Sequence, residues 1–264
     1  MLIAERRNRI LGHVRTQGYA SFREIAEVVG ISESTVRRDL RAMVAEGLVS
    51  ATRGGVSRVG NGTEPADWTN DQLAPEPGTD ALAGERAAIA RMAARMVTEG
   101  SAVLLGPGRS TLELAGRLTG VGPLTVVTNS VPVTTVLQDQ EQIELVVVGG
   151  TLRRSIRAFV GPLTEQGLQG LRGAQVFLSG DGVTAERGLT TPNVFAAAAD
   201  VALAAAGRQV VVLADHTKIG RETMCQTVPS NQIDTLITTP GADPDVLADL
   251  RTLGIDVVIA PVGD

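Results

Sequence analysis

Cysteine occurs once in the 264 residues, at Cys225, so no internal disulfide can form and a reducing compartment is expected. Aromatic residues make up only 2% of the chain, which leaves a core to be built from Val, Leu, Ile and Ala. With two histidines and that one cysteine there is no ligand set for a structural or catalytic metal. No apolar run approaches the roughly 20 residues needed to cross a bilayer. The opening segment "MLIAERRNRI" is charged by its fifth residue, so it does not provide the apolar centre of a signal peptide. Together these absences lead to the expectation of a soluble, cytoplasmic protein. Lysine is nearly missing as well. Of 24 basic residues, Lys218 alone is not arginine.

What is present is a hydrophobic fraction of 43% with mean hydropathy +0.13, ample for a packed core and incompatible with a largely disordered chain. The net charge of −5 is unevenly spread. Residues 1–60 carry ten arginines against six acidic groups, a balance of +4, which leaves −9 for the remainder. A basic N-terminal segment on an acidic body predicts that only the former approaches a polyanion.

Periodicity divides the chain at 1–58, 59–80 and 81–264. Residues 4–17 read as a helix with Ile10, Leu11 and Val14 on one face. "SFRE" from Ser21 to Glu24 is a capping box opening a second helix that Gly30 stops. Ser32 then caps a third helix in which Val36, Leu40, Met43 and Val44 form one inward stripe. "LVSATRGGVSRV" follows as two short strands about Gly54-Gly55. Residues 59–80 have the Pro, Gly, Asp and Asn composition of a linker, with Trp68 inside it as a docking contact. From residue 81 onward a helix over 81–98 leads into strands that are near-continuous Val/Ile/Leu runs interleaved with helices. This predicts an α/β domain with a mostly parallel, helix-covered sheet.

Three short helices and a two-stranded wing describe a winged helix-turn-helix. Its third helix buries one stripe and leaves Ser34, Thr35, Arg37, Arg38 and Arg41 on its other faces. A recognition helix sets its N-terminal residues against base edges in the major groove, and Arg37 and Arg38 suit guanine edges or phosphates. Arg53 and Arg58 flank the wing's glycines. The alternative is a basic helical hairpin that dimerises or is merely solvated.

In an open parallel sheet, ligands bind beyond the carboxyl ends of the strands. The loop after "AVLL" reads "GPGRST", where Gly108 admits a close anion and a helix N-terminus adds amides. Arg109 can clamp a phosphate, with Ser110 and Thr111 as hydroxyl donors. The loop matches neither G-x-G-x-x-G nor a Walker A motif, so no nucleotide cofactor is implied. Other strand ends are similarly polar: Thr128 and Asn129; Gly149, Gly150 and Arg153; Asp181; Thr190, Thr191 and Asn193; and Asp215 with Lys218. Converging on one sheet edge, they predict a pocket for a small, hydroxylated, anionic molecule.

The N-terminal run resembles the DNA-binding domain of DeoR-type bacterial transcriptional regulators. The residues that carry the likeness are Arg6, Ile10, the unbroken "STVRRDL" from Ser34 to Leu40, and Arg53-Gly54-Gly55. Asp39 in that run is expected to pair with a neighbouring arginine. The likeness continues through Thr128-Asn129, Gly149-Gly150-x-Leu152-Arg153, Val160-Gly161-Pro162, Gly188 to Asn193 and Asp215-x-x-Lys218. These are similar to the family's effector domain, whose fold is like that of ribose-5-phosphate isomerase and which binds phosphorylated sugars or related metabolites. The resemblance places Lys218 in the pocket beside Asp215, as a ligand contact or as half of a structural pair. Two departures stand out. Gly106, Pro107 and Arg109 replace the usual acidic first loop, and after "TTPN" Ala196 and Asp200 stand near positions that are usually acidic and basic.

The resemblance implies a regulator, most simply a repressor, that binds a double-stranded operator as a dimer or tetramer and senses a phosphorylated metabolite. Two alternatives remain. One is a sugar-phosphate isomerase-like enzyme with Asp181 and Asp215 as candidate bases, and the other is a regulator with a vestigial pocket.

Overall fold

The computed structural model describes residues 3–17, 19–45, 48–52, 55–58 and 80–263. The chain divides into two compact units, Met1–Ala66 and Asp67–Asp264. Trp68, the linker residues 59–79, Arg53 and Gly54 lie outside the described residues, as do the side chains of Arg41 and Arg58.

The first unit contains α1 (Ile3–Gln17), β1 (Tyr19–Ser21), α2 (Phe22–Val29), α3 (Glu33–Ala45), β2 (Val49–Thr52) and β3 (Gly55–Arg58). The capping box is present: the Ser21 hydroxyl accepts from the Glu24 amide at 3.2 Å, and the Glu24 carboxylate accepts from the Ser21 amide. Gly30 ends α2 at φ 69, a left-handed turn that glycine adopts without a Cβ penalty. The inward stripe of α3 (Val36, Leu40 and Met43) closes a core with Ile10, Val14, Ile25 and Val56. The wing is three-stranded rather than two-stranded. Strand β1 pairs antiparallel with β3, extending the order to β1-β3-β2. Three residues around one capping serine are too few to show a strand period.

The second unit is built on seven parallel strands in the order β15-β14-β12-β9-β4-β5-β6. These are β4 (Ala102–Leu105), β5 (Leu124–Thr128), β6 (Ile143–Val147), β9 (Gly173–Leu178), β12 (Gly207–Leu213), β14 (Thr235–Thr238) and β15 (Asp256–Ile259). Alternate residues feed two cores. Leu104, Val176, Leu178 and Val212 pack with Leu203 of α8 (Val194–Ala206) and Leu250 of α9 (Pro244–Thr252). Leu105, Phe177, Val211 and Leu213 pack with Ile89 of α4 (Ala83–Ala94), Leu114 of α5 (Arg109–Leu118) and Leu137 of α6 (Val131–Leu137). A strand with both faces covered has no polar face to alternate, which is why these runs read as continuous. β6 differs: it is an edge, and its Val146 and Val147 are exposed despite the apolar run.

Two smaller sheets stand apart from the main one. β7 (Thr151–Arg153) and β8 (Ala158–Val160) form a hairpin leading into α7 (Pro162–Leu168). β10 (Gly182–Thr184), β11 (Gly188–Thr191) and β13 (Cys225–Val228) form an antiparallel sheet. Among the described residues no helix is long and apolar enough to cross a membrane.

Candidate functional sites

On the first unit, α3 presents Ser34, Arg37 and Arg38 exposed and Thr35 half-buried. The hydroxyl of Ser32 lies 2.9 Å from that of Ser34 and 3.0 Å from that of Thr35, a polar cluster at the helix N-terminus. Arg37 is held: its guanidinium stacks 4.3 Å from the Phe22 ring centroid, and an Nη lies 3.6 Å from the Glu33 carboxylate. Asp39 does not face outward. It accepts from Arg6 Nε at 2.6 Å, so its arginine partner comes from α1 across the fold, and this bond fixes the roll of α3 against α1.

In the second unit, the carboxyl ends of β4, β9, β11 and β12 surround a cleft with about 120 Å³ of water-accessible space. Of the residues singled out from sequence, Gly108, Arg109, Asp181, Thr191, Asn193, Asp215 and Lys218 line it. α5 begins at its wall. Gly108 caps that helix at φ 153, where a Cβ would stand 2.8 Å from that of Ser179.

The remaining expected residues are not on the cleft wall. Several of them hold its loops in place. Ser110 and Thr111 are buried in α5, and Thr111 Oγ1 donates to the Gly108 carbonyl. Thr128 donates to the Leu105 carbonyl at 2.7 Å, and the Asn129 amide donates to the Phe159 carbonyl at 2.8 Å, tying β5 to β8. Gly149 accepts from Thr164, and a Cβ at Gly150 would fall 2.1 Å from the same hydroxyl. Arg153 lies over the Phe195 ring at 4.6 Å. Thr190 donates to the Gly182 carbonyl and accepts from the Thr223 amide.

Sequence reasoning missed other wall residues: Arg86, Ser179, Thr217, Arg221 and, as a cleft residue in its own right, Asp200. Arg86 had a signal. It precedes Ile89, Ala90 and Ala93 by three, four and seven residues, which puts a charge on the buried stripe of α4.

The electrostatics are organised around paired charges. Asp80, just before α4, receives Arg86 Nη2 and, at 3.1 Å, Arg109 Nη1 on a single carboxylate oxygen. Burial works against the Asp80 charge, but the hydrogen bond and charge of Arg86, the Leu82 amide and the charge of Arg109 outweigh it. Its carboxyl is held below the usual range. Burial and the like charge of Arg86 lower the Arg109 pKa, against the pull of Asp80 and Asp215.

Lys218 Nζ donates to the Gly180 carbonyl at 2.6 Å. Asp215 is not its close partner. That carboxylate accepts from the Thr217 amide at 3.2 Å and the Thr217 hydroxyl at 2.5 Å. Burial lowers the Lys218 pKa, and the charges of Asp215 and Asp181 counter it. A cleft lined by four cationic side chains (Arg86, Arg109, Lys218 and Arg221), backbone amides and several hydroxyls is suited to binding an anion that carries further polar groups.

Both units match known families. Residues 82–239 match the DeoR C terminal sensor domain, and residues 6–60 match the DeoR-like helix-turn-helix domain. An HTH-type transcriptional regulator GlpR from Haloferax volcanii is 33% identical, with 98% of each chain covered. An HTH-type transcriptional regulator UlaR from Escherichia coli is 30% identical, over 98% of this chain and 99% of that protein. Among solved structures, a ribose 5-phosphate isomerase from Methanocaldococcus jannaschii shares 16% identity over 51% of this chain and 53% of that one. Its TM-score of 0.38 is too low to bear on function. The chain belongs to the DeoR family of transcriptional regulators.

Proposed function

We propose that the cleft binds a small anionic metabolite, a phosphorylated sugar or a compound of similar charge and hydroxylation. Its occupancy changes the affinity of the winged helix-turn-helix for an operator, and the regulator acts as a repressor. The observation that carries this reading is the gathering of Arg86, Arg109 and Lys218 in one cleft onto which the N-terminus of α5 opens. Asp80 already sets one carboxylate oxygen against two of the cleft's arginines, Arg86 and Arg109, and an incoming phosphate competes for the same donors. Displacing Asp80 acts on the residue where the linker meets α4, which gives the ligand unequal contacts in two states, the requirement for coupling.

On the DNA side, Ser34, Thr35, Arg37 and Arg38 contact the major groove, with Arg41, Arg53 and Arg58 on the backbone. One helix reads one half-site, so the working form is a homo-oligomer, a dimer or tetramer, in the cytoplasm. A repressor from Escherichia coli described as a putative aga operon transcriptional repressor is 27% identical over 97% of this chain, which supports the direction of control. Asp181 and Asp215 serve binding, not turnover.

Fluorescence anisotropy with DNA from upstream of the chain's own gene tests the proposal, at fixed salt because phosphate contacts are steeply salt-dependent. A sugar phosphate is expected to change the operator affinity. Specific DNA binding that no member of a sugar-phosphate panel alters would sink the sensing role, and isomerisation of ribose 5-phosphate by the purified chain would overturn the non-catalytic one.

A further inference from the structure

Helix α8 reads "VFAAAADVALAAA", and Asp200 is its only polar side chain. It is 4% exposed, yet it lines the cleft. Its Oδ1 is buried without a hydrogen-bond partner, and among the described residues the carboxyl forms no ion pair. An unpaired buried carboxyl opposes folding, so a residue that merely filled this space would be alanine, like its neighbours. Burial, and after it the negative charge of Asp181, push the Asp200 carboxyl well above the usual carboxylate range. The carboxyl keeps an acceptor open on Oδ1 and, whenever it holds a proton, has one O–H to donate.

Its surroundings do not meet those valences. Ile156 and Ala196 beside it on the cleft wall are apolar. The side-chain Oδ1 of Asn193 already accepts from the Phe195 and Ala196 amides at 3.0 and 3.1 Å. Asp181 acts on Asp200 as a like charge, and a molecule in the cleft can supply the missing partner. A hydroxyl both donates and accepts, and so suits the carboxyl with or without its proton, whereas inorganic phosphate has no carbon-borne hydroxyl to present to Oδ1 while its oxygens face the cations.

We propose that Asp200 is a specificity-determining residue of the cleft, receiving a hydroxyl of the bound metabolite on its carboxyl oxygens. This rests on the cleft being the effector site proposed above, and it adds that the effector is recognised by a hydroxyl as well as by its anionic group.

The test is isothermal titration calorimetry of the full chain with ribose 5-phosphate, glucose 6-phosphate and inorganic phosphate. At least one sugar phosphate is expected to bind the wild-type protein more tightly than inorganic phosphate does. Asp200→Ala is expected to weaken that sugar phosphate on the order of tenfold, while the affinity for inorganic phosphate changes by less than about twofold. Asp200→Asn, which keeps a donor and an acceptor, should recover affinity to within about threefold of the wild type. Asp200→Leu repeats the alanine experiment with the space filled. If the alanine and leucine variants keep the full preference for sugar phosphate over inorganic phosphate, Asp200 does not read the hydroxyl and the proposal falls alone. If none of the three probes binds the wild-type chain, the anion-site reading is overturned and this proposal goes with it.

Discussion

The single lysine meets a geometric demand that arginine would not. Its ammonium donates to the Gly180 carbonyl at 2.6 Å in a cleft already lined by three arginines. A compact ammonium has three donors on one atom, so it can hold a backbone carbonyl and still face a ligand; a planar guanidinium needs more room. Lys218→Arg is expected to leave folding and operator binding intact and to weaken anion binding about tenfold, the loss of one well-placed charged hydrogen bond. Calorimetry beside thermal denaturation decides the matter. A lower melting temperature with unchanged anion affinity would make the lysine structural. Asp200 supplies a second, pH-dependent test. Its folded pKa is raised, so the native state keeps a proton that the unfolded chain releases above about pH 4. Wild-type stability therefore falls as pH rises from that point toward the raised value, and Asp200→Asn escapes the loss. The variant should melt higher than wild type at pH 7 and converge with it near pH 4, the ordinary aspartate range. Parallel melting curves across that interval would mean that the burial carries no such penalty.

Helix α3 shows how a secondary-structure element can be readable in sequence while the roles of its arginines are not. Its stripe, its capping serine and the glycine before it were all visible, because period, cap and stop are local properties. That Arg37, exposed like Arg38, also stacks on Phe22 depends on α2, which no spacing rule reports. The two arginines should then behave differently. Arg38→Ala is expected to reduce operator affinity by about 1–3 kcal/mol with no change in melting temperature, the range for a base contact. Arg37→Ala should reduce both. Anisotropy and thermal melts on the two variants separate these outcomes, and equal effects on stability would contradict the assignment. The same logic explains the cleft. The strand-end loops were legible as polar turns, but which ones face the cavity was not. Thr128, Asn129 and Thr190 have the same chemistry as the wall residues, and only the fold turns them toward backbone partners. The sheet β10-β11-β13 was missed because its three- and four-residue strands, rich in Gly and Thr, carry no alternation to detect.

The +4 and −9 division of charge means that residues 1–60 attract DNA while the remainder of the chain repels it. Within the acidic part, positive charge is gathered into the cleft and kept in check by Asp80, whose one oxygen serves both Arg86 and Arg109. Asp80→Asn should therefore bind inorganic phosphate about threefold to tenfold more tightly, since the competent form no longer has to be uncovered first. It should also melt at a lower temperature, because Arg86, 3% exposed, loses its counter-charge. Unchanged phosphate affinity in this variant would remove Asp80 from the binding equilibrium. If the carboxylate does compete, residue 80 is a set point. The metabolite must reach a concentration fixed by the protein's own tethered anion before it is registered at all. That threshold can be moved by a single substitution that touches neither the DNA-reading helix nor the groups that recognise the effector.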